Sequence, residues 1–215
     1  MAKAEIVTIE YSNKSKIPYA VRINAAGRYG TTGLQIEADA YPKINKKTYA
    51  YINVGAADDI LFPQYRAGLS LYRSLPGSFE MEGGFRLLHF QSNVWIYTAS
   101  LSKYYKKYLF NISTFLTPEN GYILRSYFFK TRYYFKEKSY LMLTIGTGIS
   151  PDDKQNANQL FTANKVRSKR ADVSTRIFIK HDNIIFLNAG FMNQRTQEKE
   201  STDRVNFTIG YHKVF

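Results

Sequence analysis

The residues best equipped for catalysis are three histidines, His89, His181 and His212, and none stands in an HExxH or comparable spacing. His89 with Ser92 comes nearest to a base beside a nucleophile, the pair that a lipase or acyltransferase would need. Both fall in a turn, however, where a solvated histidine explains the pattern better. Asp152 and Asp153 follow Pro151 in a long connection and could hold calcium weakly, yet a solvated turn accounts for them equally well. Cysteine is absent, which excludes disulfides, thiolate catalysis and thiolate metal sites. The sequence predicts no enzyme, no metal and no cofactor.

A second constellation is larger and of another kind. Arg22, Arg28, Gln35, Glu37, Asp39, Arg66, Glu80, Glu82, Arg86, Lys130, Arg132, Arg170, Asp172, Arg176 and Arg204 fall on the polar side of alternating stretches. Such a set can do one of two things. Opposite charges on neighbouring strands can pair and fill the interior of a barrel with a polar core. Alternatively, because arginine outnumbers the acids, a water-filled lumen lined by these residues favours anions.

The elements that must carry these residues are strands, because hydrophobicity repeats with period two in stretch after stretch. Candidate strands run over 4–11, 19–29, 33–41, 48–56, 64–73, 78–88, 93–103, 107–117, 122–134, 139–149, 168–181, 183–193 and 203–215. Many have the length of about ten residues that a tilted strand needs to cross a bilayer, against five or six for a soluble strand. Short connections at 42–47, 74–78, 104–106 and 136–138 and a tight turn at Asp182 alternate with others at 57–63, 117–121, 150–167 and 194–202 that are often longer, although the short linkers near Gly30 and Gln91 interrupt the rule. Short turns at one end and long loops at the other are the outer-membrane barrel arrangement.

Alternation alone does not say which face points inward. A closed soluble barrel of about a dozen strands would enclose more space than its apolar face could fill. The polar faces also mix Arg, Glu and Asp with Gly and Ser, as a wet lumen allows. Aromatic residues gather near strand ends, as Trp95 and Tyr97, Tyr104, Tyr105 and Tyr108, and Tyr133, Tyr134 and Phe135, where an interfacial belt belongs. The expected fold is all-β, a transmembrane antiparallel up-and-down β-barrel of about 12 to 14 strands, forming one domain over residues 1–215. The other candidate is a soluble β-sandwich or lipocalin-like cup.

The formal charge of +13 raises nucleic acid as a partner. The basic residues are spread along the chain and often sit in turns, such as Lys43, Lys46 and Lys47 or Lys103, Lys106 and Lys107, rather than on one face, and no nucleic-acid partner is expected. No run is long and apolar enough for a membrane helix, and Met1 is followed by no apolar signal region. With the C-terminus on the periplasmic side the candidate strands number thirteen, whereas single-chain bacterial barrels have even numbers. One further N-terminal strand behind a signal peptide is therefore expected in the natural protein, or else residues 4–11 lie outside a twelve-stranded barrel.

Gly33 to Pro42, GLQIEADAYP, together with RINAAGRYG from Arg22, GLSLYRSLP from Gly68, EGGFR from Glu82 and VWIYTAS from Val94, resembles the YaiO family of outer-membrane β-barrels. The order and spacing of these blocks are more specific than any one of them, and the resemblance extends over nearly the whole chain. It implies an outer-membrane location, outer-membrane lipid and the barrel-assembly machinery as partners, and a link to exopolysaccharide or surface-glycan secretion. Phe207, Ile209, Tyr211 and Phe215, on one face of the last strand, read as the assembly signal, although Lys213 stands where an aromatic or aliphatic residue is more usual. The functional expectation is a porin-like or export component for an anionic or carbohydrate solute. The alternative is a non-conducting structural or adhesion barrel that binds partners through its outer loops.

Overall fold

The structure is a computed structural model that describes residues 4–13, 16–28, 31–59, 61–119, 121–136, 138–148, 167–179, 183–195 and 201–213. Among the described residues thirteen strands follow one another: β1 (Ala4–Asn13), β2 (Tyr19–Arg28), β3 (Thr31–Ala40), β4 (Thr48–Ala57), β5 (Tyr65–Leu75), β6 (Phe79–His89), β7 (Asn93–Tyr105), β8 (Tyr108–Glu119), β9 (Tyr122–Tyr134), β10 (Tyr140–Thr147), β11 (Arg167–Ile179), β12 (Asn183–Arg195) and β13 (Ser201–Lys213). Each pairs antiparallel with the next, so the chain forms a single up-and-down sheet in sequence order. Residues 4–13 pair with β2 along their whole length and belong to the sheet. Among the described residues no ladder joins β1 to β13, and with thirteen antiparallel strands these two edges run in the same direction. On β13 this leaves Phe207 77% and Ile209 82% exposed, against 53% for Ile36 inside the sheet.

Burial shows which face is inside. Gln35, Glu37, Asp39, Asn53, Arg66, Arg86 and Asp172 are buried, whereas Ile36, Ile52, Val54, Leu101, Ile112, Leu143 and Val173 are exposed. In water that distribution would be strongly unfavourable, because apolar area costs free energy when wet and buried charge costs more. It fits a sheet whose outside meets hydrocarbon and whose inside is polar.

The connections explain where the elements stop. A 3-10 turn, Pro76–Ser78, joins β5 to β6 with Gly77 at φ 73° and Ser78 at φ 61°. Lys106, at φ 53°, turns β7 into β8, and both strands extend to within one residue of it or of Lys107. The sequence pattern ends β7 two residues earlier, at 103, since the adjacent tyrosines break the alternation; in the structure Tyr105 and Tyr108 pair directly. Pro118 pairs with Ile123 near the end of β8, beyond the last position that the alternation marks as strand. A strand end tolerates proline because few ladder bonds remain to be lost there.

Tyrosines collect at the strand ends. On the outer face Tyr108 meets Tyr133 at 5.1 Å near the short-turn end, while on the inner face at that end Tyr49 stacks on Tyr72 at 4.7 Å and Tyr134 meets Tyr140 edge-on at 5.8 Å. Near the other end Phe85 meets Trp95 at 5.7 Å. The outer pairs, Tyr108 with Tyr133 and Phe85 with Trp95, stand where rings with one polar tip suit the level of lipid headgroups.

Candidate functional site: the polar interior

Inward positions on β1 to β6 form two linked networks of charge. Glu37 on β3 accepts from Arg66 Nη1 at 2.7 Å, Arg22 Nε at 3.1 Å and Asn24 Nδ2 at 3.3 Å. Arg22 also pairs with Asp39 and with Glu10, and Asp39 accepts from Asn53 at 2.6 Å and from Tyr51 at 3.1 Å. Gln35 accepts from Asn24 at 3.3 Å. Next along the wall, Glu82 accepts from Ser70 at 2.8 Å and Ser100 at 2.9 Å and lies 3.8 Å from the Arg86 guanidinium. Arg86 donates to Ser70 at 2.9 Å and places its guanidinium 4.8 Å from the Tyr51 ring. Buried charge is tolerated only with this density of partners.

Glycines on the inner face make these contacts possible. A Cβ at Gly68 would meet Arg86 Cδ at 2.6 Å, so the arginine stem lies across the space a side chain would fill. Gly84 packs against the Leu69 carbonyl and the Ser70 hydroxyl with no room for a methyl group. Small residues on the inner face thus let long charged ones lie flat along the wall.

Beyond β6 the interior changes character. Lys130 and Arg132 on β9, Arg170 and Arg176 on β11 and Arg204 on β13 occupy inward positions, none fully exposed. On β9 to β13 Asp172 is the one inward carboxylate among the described residues, and Arg170 engages it through Nε at 2.7 Å and Nη2 at 3.0 Å. Arg132 donates to Tyr134 Oη at 2.9 Å and stacks 4.2 Å from the Tyr140 ring, and Arg176 lies 5.3 Å from that of Phe178. Glu80 lies inward on β6. The structure thus brings Arg22, Gln35, Glu37, Asp39 and Arg66 together, joins Glu82 to Arg86, and leaves Arg176 and Arg204 apart from both groups. Phe207, Ile209 and Tyr211 share the outer face of β13.

Several expected features fall outside the described residues: the connection 150–166 with Asp152 and Asp153, His181, Phe215 and the side chains of Arg28 and His212. His89 stacks on Tyr65 at 4.2 Å and its Nδ1 lies 2.7 Å from Asn93 Oδ1, so its neighbours are Tyr65 and Asn93.

Two inner features rest on uncharged residues that a search for charged positions passes over. The first is a cavity of about 250 Å³ bounded by β5 to β10, lined by Thr98, Ser100 and Ser102 from β7 and Asn111 and Ser113 from β8, between Glu80 and Glu82 on one side and Lys130 and Arg132 on the other. The second is an apolar cluster of Leu88, Phe90, Ile96, Phe115 and Phe128, nearer the end of the sheet where β6 connects to β7. Phe115 belongs to both. Their sequence signal is parity: Leu88, Ile96, Phe115 and Phe128 stand in register with the polar positions of their strands.

Solved structures share this architecture. One described as a NanC porin superposes with a TM-score of 0.53 at 8% identity, covering 98% of this chain and 99% of its own. Another, described as a bacterial polysaccharide outer membrane secretin, gives 0.52 at 9% identity, covering 97% of this chain and 77% of its own. At such identities the likeness is one of fold. No curated protein matches the sequence. The YaiO membrane beta barrel domain matches residues 2–153, which takes in every sequence block of the resemblance and ends before β11. Family, strand architecture and an apolar exterior over a polar interior agree, and the chain is an outer-membrane β-barrel protein of the YaiO family.

Proposed function

We propose that this barrel passes an anionic or carbohydrate solute through its polar interior, as a porin-like or export component with a role in polysaccharide secretion. The observation that carries the reading is the charge imbalance on β9 to β13, where Lys130, Arg132, Arg170, Arg176 and Arg204 face inward with Asp172 as the one inward acid among the described residues. A low-dielectric wall focuses such a field and raises the local concentration of anions. The fold likeness to a polysaccharide outer membrane secretin supports the export half of the proposal. Outer-membrane lipid and the barrel-assembly machinery are the partners of the fold, with the C-terminus on the periplasmic side and Phe207, Ile209, Tyr211 and Phe215 as the assembly signal. The reading includes no catalytic step and no nucleic acid.

The test is single-channel conductance of the refolded protein in a planar bilayer, with chloride against potassium selectivity. Steady anion-preferring conductance is expected, and Arg176→Glu should lower that preference. A second reading has its own observation: the cluster of Leu88, Phe90, Ile96, Phe115 and Phe128 packs apolar bulk onto the inner face, as a closed structural or adhesion barrel would. A folded, heat-modifiable barrel that stays silent at every voltage would favour it.

A further inference from the structure

We propose that the cavity between β5 and β10 binds one sugar-acid unit, a hydroxylated carboxylate, with its carboxylate on Arg132 and its hydroxyls on Ser100, Ser102, Asn111 and Ser113. The proposal takes from the preceding reading only that solutes reach the interior.

Size sets the first bound. A volume of about 250 Å³ lies just below the roughly 300–1,000 Å³ of sites for drug-sized ligands, so it accepts one monosaccharide-sized unit. The polar atoms decide the chemistry. Ser113 is among the residues that line the cavity, is 5% exposed, and has a buried hydroxyl with no hydrogen-bond partner. A buried hydroxyl without a partner costs free energy that a ligand hydroxyl would recover. Asn111 donates to Ser102 at 3.0 Å and keeps further capacity to donate and accept. Hydroxyls and amides do both, which is what a ring of sugar hydroxyls requires.

Arg132 supplies the anionic end. Its Nε is buried without a hydrogen-bond partner, while its other nitrogens meet Tyr134 Oη and Met142 Sδ. The residues directly opposite it are Leu109 on β8 and Met142 on β10, so neither flanking strand offers a carboxylate there. Arg22, Arg66, Arg86 and Arg170, in contrast, each hold an acid. A guanidinium already oriented by Tyr134 and Tyr140 presents a planar fork suited to a carboxylate. At the far side of the cavity Glu80, three strands away on β6, repels that carboxylate and fixes the direction in which the ligand lies.

The experiment is calorimetric titration of the refolded full chain in detergent micelles with glucuronate, glucose and acetate. The two sugars differ only at the carboxylate, and acetate carries the charge without the ring. Glucuronate should bind saturably and about tenfold or more tighter than either, the factor expected for a hydrogen bond to a charged group. Arg132→Gln should remove the preference for glucuronate over glucose, Arg132→Lys should retain part of it, and Ser113→Ala should weaken both sugars. Gly83→Ala, on the outer face, should leave all three titrations unchanged, and heat-modifiability on gels establishes that each variant is folded. Equal binding of glucuronate and glucose, no saturable binding, or an undiminished preference in folded Arg132→Gln would overturn the proposal. Binding is read without conductance: a silent barrel that prefers glucuronate upholds the site against transport, and a conducting barrel without that preference does the reverse.

Discussion

Arg66 on β5 and Glu37 on β3 meet at 2.7 Å across the strand that separates them, and they do so over Gly55. A Cβ at Gly55 would stand 3.0 Å from Arg66 Cγ and 3.0 Å from Glu37 Cγ, so the glycine is the gap through which the pair is made. Both side chains are almost wholly shielded, at 5% and 0% exposure.

Removing one partner should therefore cost more than the pair itself is worth. Glu37→Ala leaves Arg66 and Arg22 facing each other without their shared carboxylate, and about 3–5 kcal/mol of folding stability should be lost. Glu37→Leu combined with Arg66→Met removes that unpaired charge and should recover much of the loss. Urea unfolding from lipid vesicles measures both; equal losses in the single and double variants would show that the stranded charge is not what costs.

The adjacent glycines of EGGFR make a second, sharper contrast. Gly84 faces inward against the Leu69 carbonyl and the Ser70 hydroxyl, whereas nothing lies within 4 Å of a Cβ built on Gly83. Gly84→Ala should cost about 1–3 kcal/mol through overpacking, and by displacing Ser70 it should loosen Arg86 and Glu82. Gly83→Ala should stay within about 0.5 kcal/mol of the parent. Parallel unfolding curves for the two variants are the check.

Period-two alternation made the strands and their faces readable because it is a local property: each residue's side is fixed by its neighbours in the chain. Boundaries shifted where that rule is interrupted, at Tyr104 and Tyr105 before the Lys106 turn and at Pro118. What could not be read is which inward residues touch. Arg66 reaches Glu37, twenty-nine positions away, because the register of two hairpins brings them level, and no sequence spacing encodes that. The neutral cavity wall of Thr98, Ser100, Ser102, Asn111 and Ser113 was hidden for another reason: Ser and Thr are common on any inner face, and only curvature across six strands makes them a site.

The face assignment itself predicts an asymmetry between neighbours on β12. Leu187 is exposed on the outer face near mid-strand and Asn188 is turned inward. Leu187→Arg should cost about 2–4 kcal/mol for folding into a bilayer, the range for a lipid-facing arginine near the midplane. Asn188→Arg should cost far less and should add to anion preference instead. Folding yields and unfolding midpoints in vesicles of one fixed lipid composition decide it, and a reversal of the two costs would invert the assigned faces.

The apolar cluster separates the conducting and closed readings most directly. Phe128 is 3% exposed and meets Phe115 edge-on at 5.8 Å, within the inner apolar cluster. Phe128→Ala should lose about 3–5 kcal/mol, the usual cost of emptying a phenylalanine site. Its effect on current should be opposite in sign to its effect on stability. An aromatic ring that narrows a wet passage also dries it, and its removal lets water and ions through. Conductance measured beside stability should therefore rise as the folding free energy falls. A variant that loses the stability and gains no current would mean that the cluster packs the wall without obstructing a passage.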